Sequence, residues 1–426
     1  MSLNEIKEFK MKKRKVIVVG AGAAGMMAAG QAALSGAETL LLEKMRKPGL
    51  KLAITGKGRC NLTNVAPIPE FIGHFGKNGR FLRQCFHQFF NTELTQFFEE
   101  QGLSLTKERG GRIFPTRGKA QEVVALFVAW LKKCGVRTQH NCAINRLLVK
   151  DGRVNGVECN GKKIYADAVI LATGGACYPA TGSTGDGYPM TEVLGHSIID
   201  VRPALVPLVT AGSLTSRMAE LNLRNIGVRL IVDGKKKDDA FGELVFSAFG
   251  VTGPVILTLS GVAVDALRAE KKVELLLDLK PALDDKKLDA RLLRDFAKRD
   301  KEPLSSILRG LLPREMINVC LEMTGVAGDR LGHSVSAVER KKLRLWLKNF
   351  PLHVTGYRPM KEAIVTAGGV NLKEVDPRTM ESRKVAGLYL VGELLDLQAD
   401  TGGYNLQAAF STGWLAGQCA ATLPSE

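Results

Sequence analysis

The stretch that decides the fold is Lys15–Glu43, which reads KVIVVGAGAAGMMAAGQAALSGAETLLLE. Its opening residues Val16–Val19 are apolar and β-branched, and they predict a short buried strand. Alanine-rich sequence over 24–34 follows a glycine turn and predicts a helix, and Thr39–Leu42 predicts a second strand. A strand, a helix and a strand at this spacing indicate a βαβ unit of a parallel sheet.

The turn between the first strand and the helix has the pattern G-x-G-x-x-G. Gly20 permits the tight turn, Gly22 lets the backbone approach a pyrophosphate, and Gly25 lets the helix pack closely on the strand. The helix N-terminus offers free N–H groups to the phosphates, and Glu43 suits a ribose hydroxyl, which disfavours NADP here. We predict that a dinucleotide contacts Gly20, Ala21, Gly22, Ala23, Ala24, Gly25, Glu43 and Lys44.

The remaining composition limits the class of protein. The 426 residues are 45% apolar and 24% charged, so two or three globular domains are expected. The net charge of +17 is dispersed along the chain, which weakens an interpretation as a nucleic-acid binder. The eight cysteines form no C-x-x-C pair or zinc-ligand spacing, and no apolar run approaches the ~20 residues of a membrane span. We expect a cytoplasmic protein without a metal site or a disulfide framework.

Beyond the βαβ unit, the pattern changes several times along the chain. Aromatic residues at helical spacing predict a helix over 78–101 whose stripe lies in the core, and residues 136–165 alternate as a β-meander with a turn at Lys150–Gly152. Residues 201–280 are predicted to be mostly strands, and residues 281–348 helices of mixed charge. A buried strand at Leu388–Val391 and a final helix from about Asn405 complete the prediction.

From residue 48 onward the sequence resembles a known family. The chain is similar to the bacterial NAD(P)/FAD-dependent oxidoreductases that include BaiN-like and aminoacetone-oxidase-like flavoproteins. The resemblance is carried, in order along the chain, by KLAITGKGRCNLTN at 51–64, GGRIFP at 110–115, ATGG at 172–175, TGSTGDGY at 181–188, FGVTGP at 249–254, AGGV at 367–370, VGELLD at 391–396 and TGGYN at 401–405. One departure is Ser247–Phe249, where members of the family often have Thr-His.

The resemblance implies an α/β fold of the glutathione-reductase type, with a Rossmann-like FAD-binding domain made of a parallel sheet and a β-meander. An inserted β-barrel-like domain and a helical insert would interrupt it. The implied limits are 11–200 and 359–426 for the FAD-binding domain, 201–280 with a return through 349–358 for the barrel-like domain, and 281–348 for the helical insert.

The resemblance also implies where FAD binds. The glycines and cations of the 51–64 loop suit phosphate and ribityl oxygens, and backbone N–H groups at the start of the last helix would stabilise the reduced flavin. Expected FAD contacts beyond the first turn are Lys51, Thr55, Gly56, Gly58, Arg59, Cys60, Asn61, Ile144, Thr173, Gly174, Gly175, Gly392, Glu393, Gly402, Gly403, Tyr404 and Asn405. The candidate polar groups that face the flavin are Arg59, Asn61, Arg112, Tyr404 and Asn405.

Other titratable residues point to structural roles. Cys60 has no second cysteine nearby, so we expect a small packing residue rather than a redox disulfide. Asp186 is expected to act as readily as a helix cap as in catalysis, and the six histidines are isolated in the sequence.

We predict an FAD-dependent oxidoreductase that transfers hydride through the flavin to or from an unidentified small molecule. Two schemes remain open: reoxidation of the flavin by oxygen, or transient reduction by NAD(P)H followed by reduction of an enone or a similar acceptor. The alternatives are an FAD-dependent RNA-modifying enzyme, which the charge of +17 supports, and a non-catalytic flavin-binding protein. The sequence gives neither the substrate nor the oligomeric state.

Overall fold

The computed structural model describes residues 13–422, which form two compact units. One unit contains residues 13–202 and 365–422, and the other contains Pro203–Ile364. Residues 11, 12 and 423–426 of the expected FAD-binding domain lie outside the described residues. No helix within residues 13–422 is long and apolar enough to cross a lipid bilayer.

The regular elements follow one another in this order. The strands are β1 (Lys15–Val19), β2 (Glu38–Leu42), β3 (Thr63–Asn64), β4 (Leu105–Lys107), β5 (Arg112–Pro115), β6 (Arg137–Gln139), β7 (Ile144–Lys150), β8 (Arg153–Cys159), β9 (Lys162–Tyr165), β10 (Ala168–Leu171), β11 (Ile198–Ala204), β12 (Leu208–Thr210), β13 (Asn222–Val232), β14 (Lys235–Ser247), β15 (Gly250–Thr252), β16 (Val273–Asp278), β17 (Phe350–Tyr357), β18 (Val365–Val370) and β19 (Leu388–Leu390). The helices are α1 (Ala23–Leu34), α2 (Leu50–Ile54), α3 (Ile68–Gly73), α4 (Arg83–Gln88), α5 (Asn91–Glu100), α6 (Ala120–Lys133), α7 (Gly187–Glu192), α8 (Pro254–Arg268), α9 (Asp285–Lys298), α10 (Leu304–Ile307), α11 (Arg314–Thr324), α12 (Ala337–Lys348) and α13 (Tyr404–Ala421).

A parallel sheet with the strand order β19-β10-β1-β2-β6 forms the centre of the first unit. β1 pairs with β2 on one side and with β10 on the other, and all four residues of β10 are buried. Nearly continuous apolar strands such as Val16–Val19 are typical of a parallel sheet that is covered on both faces. The carboxyl ends of β1, β2 and β10 therefore meet at one edge, where ligands bind in open α/β sheets.

Small residues allow α1 and α13 to pack closely. A Cβ atom at Gly413 would lie 2.3 Å from the Ala24 carbonyl oxygen, and one at Gly417 would lie 2.4 Å from that of Ala28. The contacts advance together along both helices, so α1 and α13 run parallel. α13 begins at Tyr404, nine residues before Gly413, which is about 13 Å at 1.5 Å per residue. The start of α13 therefore projects beyond the start of α1.

The predicted aromatic stripe is confirmed as core, but the single helix predicted over 78–101 is wrong. The structure has a 3-10 turn followed by two helices, α4 and α5, separated at Phe89 and Phe90. Phe86 and Phe98 are fully buried, and the Phe98 ring meets Phe127 edge-on at 5.7 Å. The apolar residues keep a helical spacing across the interruption between α4 and α5, so the sequence pattern alone did not reveal that interruption.

The predicted meander is confirmed for β7, β8 and β9, an antiparallel sheet whose first turn pairs Lys150 with Arg153. Residues 137–139 are an exception, because β6 instead pairs with β2 in the parallel sheet. The structure also joins Cys142 and Cys159 by a disulfide, with their Cα atoms 5.9 Å apart, although no disulfide was expected. The hairpin brings together cysteines whose sequence separation of 17 indicated no pair.

The second unit contains a closed antiparallel barrel with the strand order β12-β15-β14-β13-β16-β17, together with helices α9 to α12. The expectation of mostly strands over 201–280 misses α8. That helix contains Val, Ile and Thr, which favour strands, but it buries Val255, Leu259 and Ala263 on one face. Packing against the barrel core therefore overrides the local preference.

Candidate nucleotide site

The three glycines of the first turn have different surroundings. A Cβ atom at Gly20 would lie 2.5 Å from the Ala172 oxygen, and one at Gly25 would lie 1.8 Å from the Gly20 oxygen. A Cβ atom at Gly22 would meet nothing within 4 Å. Two glycines are thus required by internal packing, whereas the middle one borders open space. This is the cradle that a pyrophosphate requires at a helix N-terminus.

Glu43 holds this turn at the end of β2. It is only 9% exposed, and its two carboxylate oxygens accept hydrogen bonds from the backbone N–H groups of Ala21 at 2.7 Å and Met45 at 2.8 Å. Each oxygen keeps a second lone pair, so the carboxylate can still accept from ribose hydroxyls. The geometry fits the role predicted for Glu43 and fixes its orientation.

Lys44 connects the end of β2 to the segment before α7. Its ammonium group forms an ion pair with Asp186 and also contacts the Thr184 hydroxyl. The sequence suggested that Asp186 could cap α7, but its side chain makes no capping hydrogen bond to that helix. Ile144, the first residue of β7, and Asp186 line the same groove of about 870 Å³. The contact of Ile144 with adenine stays a prediction.

Three predicted segments meet at a second cluster. The Lys51 ammonium lies 2.6 Å from one carboxylate oxygen of Glu393, and the other oxygen accepts the Thr366 N–H at 2.7 Å. A Cβ atom at Gly175 would lie 2.2 Å from the Thr366 hydroxyl oxygen, so the ATGG loop packs directly on this cluster. Thr366 was missed, because nothing in the spacing of the sequence connects it to Lys51.

Cys60 lies in the glycine-rich loop after α2 and is fully buried. Burial raises the pKa of its thiol to about 12, so the thiol is protonated at neutral pH. This environment agrees with a packing residue and not with a reactive thiolate.

Two side-chain oxygens point to a ligand at this site. Asn61 Oδ1 and Thr173 Oγ1 are buried and have no hydrogen-bond partner within residues 13–422. Buried polar atoms are nearly always paired, so two such atoms among residues already predicted to bind FAD fit a cofactor that supplies the partners. FAD, with its ribityl hydroxyls and ring heteroatoms, has suitable groups.

The segment before α13 is held in place by glycine contacts and amide side chains. A Cβ atom at Gly403 would lie 2.5 Å from the Thr63 oxygen, and Asn64 donates a hydrogen bond to the Gly402 oxygen at 3.2 Å. The Asn405 side chain exchanges two hydrogen bonds of 2.9 Å with the backbone of Ala399. α13 has neither a side-chain cap nor an acidic residue in its first turn, so its first N–H groups stay available to a ligand.

Arg59 and Arg112 lie together on an exposed surface. Both pair with Glu108, and the Arg59 guanidinium stacks over Phe114 at 4.5 Å. Seven exposed cations, accompanied by Glu108 as the single acid of these segments, form what we call the basic surface: Lys57, Arg59, Lys107, Arg109, Arg112, Arg117 and Lys119. No group of three or more metal-ligating side chains occurs in the part of the chain that the structure describes.

Comparison with known proteins agrees with this architecture. The family model described as "HI0933-like protein Rossmann domain" matches residues 14–419. The 3-dehydro-bile acid delta(4,6)-reductase of Clostridium scindens is 32% identical over 413 residues, which cover 96% of this chain and 100% of that protein. The ribosomal RNA dihydrouridine synthase of Haemophilus influenzae is 28% identical and covers 93% of this chain and 96% of its own length.

A solved structure shows the same fold. The 3-ketosteroid delta1-dehydrogenase from Sterolibacterium denitrificans has a TM-score of 0.52 and covers 96% of this chain and 99% of its own. The sequence identity is 13%, so this likeness concerns the fold alone.

Proposed function

The chain belongs to the HI0933-like family and is an FAD-dependent oxidoreductase, and from this premise we propose that it reduces a carbon–carbon double bond conjugated to a carbonyl group. NAD(P)H is the proposed hydride donor. The flavin would therefore be reduced by NAD(P)H and would then reduce an enone or a similar acceptor, rather than be reoxidised by oxygen. FAD would be held by the glycine turn, Glu43, the 51–61 loop and the start of α13.

One observation carries this proposal. Relatives that align over more than nine-tenths of the chain are named as a bile-acid delta(4,6)-reductase and as dihydrouridine synthases. A 3-oxo steroid with ring double bonds and a uracil ring share an alkene that is polarised by a carbonyl group. The reactions that these names describe therefore belong to one class, although the substrates differ in size and charge.

The residues of the site suit this chemistry. FAD, when bound, supplies hydride transfer between the nicotinamide and the substrate. The Lys51–Glu393 ion pair is joined to the Gly175 loop through Thr366, so these three segments are held in fixed positions. The free N–H groups at the start of α13 favour negative charge, which develops on the flavin when it is reduced.

Anaerobic stopped-flow absorbance at ~450 nm tests the donor. FAD-loaded protein is mixed separately with NADH and with NADPH, and we expect rapid bleaching by at least one of them. The reduced enzyme is then mixed with 4-androstene-3,17-dione, with uridine or with oxygenated buffer. Fast reoxidation by an enone and slow reoxidation by oxygen support the proposal. Bleaching by neither nucleotide contradicts it, and rapid reoxidation by oxygen alone indicates an oxidase.

The basic surface favours a second candidate, the reduction of uridine within RNA. Its seven cations lie beside the predicted FAD loop, and such a patch suits a phosphate backbone. The double variant Arg109→Glu/Arg117→Glu is expected to weaken binding of a single-stranded ribosomal RNA fragment and to lower the salt slope by about 0.7 per lost contact. Lys286→Glu/Lys287→Glu on α9 makes the same change of charge elsewhere. Equal effects of both pairs would count against this candidate.

A further inference from the structure

His74 directly follows α3, and its ring is clamped between a carboxylate and an aromatic ring. Its Nδ1 atom lies 3.0 Å from Asp400 Oδ2, and its ring stacks on Tyr404 with centroids 3.8 Å apart and planes 18° apart. The side chain is 29% exposed, and Nε2 makes no hydrogen bond within residues 13–422. The ring is therefore oriented by two partners and keeps one nitrogen free.

Both partners are tied to the start of α13. Tyr404 is the first residue of that helix, and its ring meets Phe71 edge-on at 4.7 Å. The Asn405 amide donates a hydrogen bond to the Asp400 carbonyl oxygen at 3.2 Å. Any charge that develops at the α13 N-terminus is thus close to a preoriented imidazole.

We propose that His74 is the group that takes up a proton when the flavin is reduced, with Asp400 as its positioning residue. This inference rests on the proposed function, in which the start of α13 favours the negative charge that develops on the reduced flavin. NAD(P)H gives a hydride to the flavin and leaves as NAD(P)⁺, so the flavin gains one negative charge. His74 Nε2 takes one proton from solvent and balances that charge. When the hydride passes to the substrate alkene, His74 releases the proton that the reduction consumes.

The imidazole lies among other titratable groups. Glu70 on α3, Asp400 and Tyr404 are the titratable groups that face this cluster. Burial raises the pKa of Tyr404 most, and the nearby Glu70 and Asp400 carboxylates raise it further. The Tyr404 phenol therefore stays neutral near pH 7. Histidine is the side chain that ordinarily changes charge near neutral pH, and the Asp400 carboxylate lies 3.0 Å from the His74 Nδ1 atom.

Dye-coupled potentiometry of FAD-loaded protein, reduced by xanthine and xanthine oxidase between about pH 5.5 and 8.5, tests the inference. The slope of the midpoint potential against pH gives the number of protons taken up per flavin. We expect a pH interval with two protons per two electrons in the parent. His74→Gln and His74→Asn are expected to take up one proton throughout. His87→Gln, at an exposed position on α4, is the matched control and should behave as the parent.

At pH 6 the loss of the charged ring is expected to weaken the binding of reduced relative to oxidised FAD about tenfold, which is ~30 mV for a two-electron couple. His74→Asn keeps a donor towards Asp400, so it separates the loss of charge from the loss of the contact. Asp400→Asn is a second test that leaves the imidazole in place but removes the carboxylate beside it, and it should change the pH at which the slope breaks. Potentials and slopes that match the parent in all three variants would overturn the proposal.

This assay uses neither NAD(P)H nor a substrate, so it separates the two proposals. Failure of the nucleotides to bleach the flavin, together with a His74-dependent slope, removes the proposed donor and keeps the inference. Bleaching by a nucleotide, together with a slope of midpoint potential against pH that the His74 variants leave unchanged, supports the proposed donor and removes the inference about His74.

Discussion

Substitution of the middle glycine of the first turn should weaken cofactor binding without unfolding the protein. In Gly22→Ala the new methyl group meets no atom within 4 Å, and the backbone at residue 22 has φ −81°, which alanine adopts without strain. The methyl group instead fills the space through which a pyrophosphate would approach. Gly25→Ala is the matched contrast, because its methyl group would lie 1.8 Å from the Gly20 oxygen.

The two substitutions are expected to differ in which quantity they change, folding stability or FAD affinity. For Gly22→Ala the free energy of unfolding of the apoprotein should change by less than about 1 kcal/mol, since reduced freedom of the unfolded chain offsets a weaker helix cap. A charge-assisted hydrogen bond contributes about 1.5–3 kcal/mol, so loss of one phosphate contact weakens FAD binding about 10- to 150-fold. For Gly25→Ala the backbone clash should cost about 1–3 kcal/mol of folding stability in addition.

Thermal unfolding without FAD and titration of FAD fluorescence measure the two quantities separately. We expect Gly22→Ala to unfold at the parent temperature and to bind FAD weakly, and Gly25→Ala to fail in both assays. A folded Gly22→Ala protein that binds FAD as tightly as the parent would refute the assignment of this turn to the pyrophosphate.

Two further predictions concern titrating groups elsewhere in the chain. Because burial raises the pKa of Cys60 to about 12, iodoacetamide at pH 8 should not modify this thiol in the native protein, and Cys60→Ser should still be bleached by the nucleotide donor; rapid native labelling, located by mass spectrometry, would contradict this. Hydrogen bonds from Arg299, which has the larger effect, and from Ser306 lower the pKa of Glu302 to about 2. This contribution to stability is present above the unfolded value near 4.3 and is lost as the pH falls through about 2. Glu302→Gln should therefore lower the unfolding midpoint at pH 7 and match the parent near pH 2, and a difference that persists at pH 2 would be inconsistent with this linkage.

The features that the sequence predicted are those with a local cause. The turn at Gly20–Gly25 follows from glycine geometry between a strand and a helix, and the structure places it as expected. α8 was missed because its β-branched residues favour a strand until the barrel core is present. The Lys51–Glu393 pair joins residues 342 positions apart, so the sequence named both residues but showed no contact between them. Thr366 and the His74–Asp400 pair were not predicted for the same reason, because only the fold brings them together.

The site is assembled from both ends of the chain, and this has a consequence for folding. Residues 51–64 contact residues 393–402 through Lys51 and Glu393 and through Asn64 and Gly402. The buried oxygens of Asn61 and Thr173 belong to the same unit, and each costs about 1–3 kcal/mol while it is unsatisfied. A cofactor that supplies those partners stabilises only the folded chain, by RT ln(1 + [FAD]/Kd). We therefore expect FAD affinity and the stability of the first unit to rise and fall together across variants of the predicted contact residues.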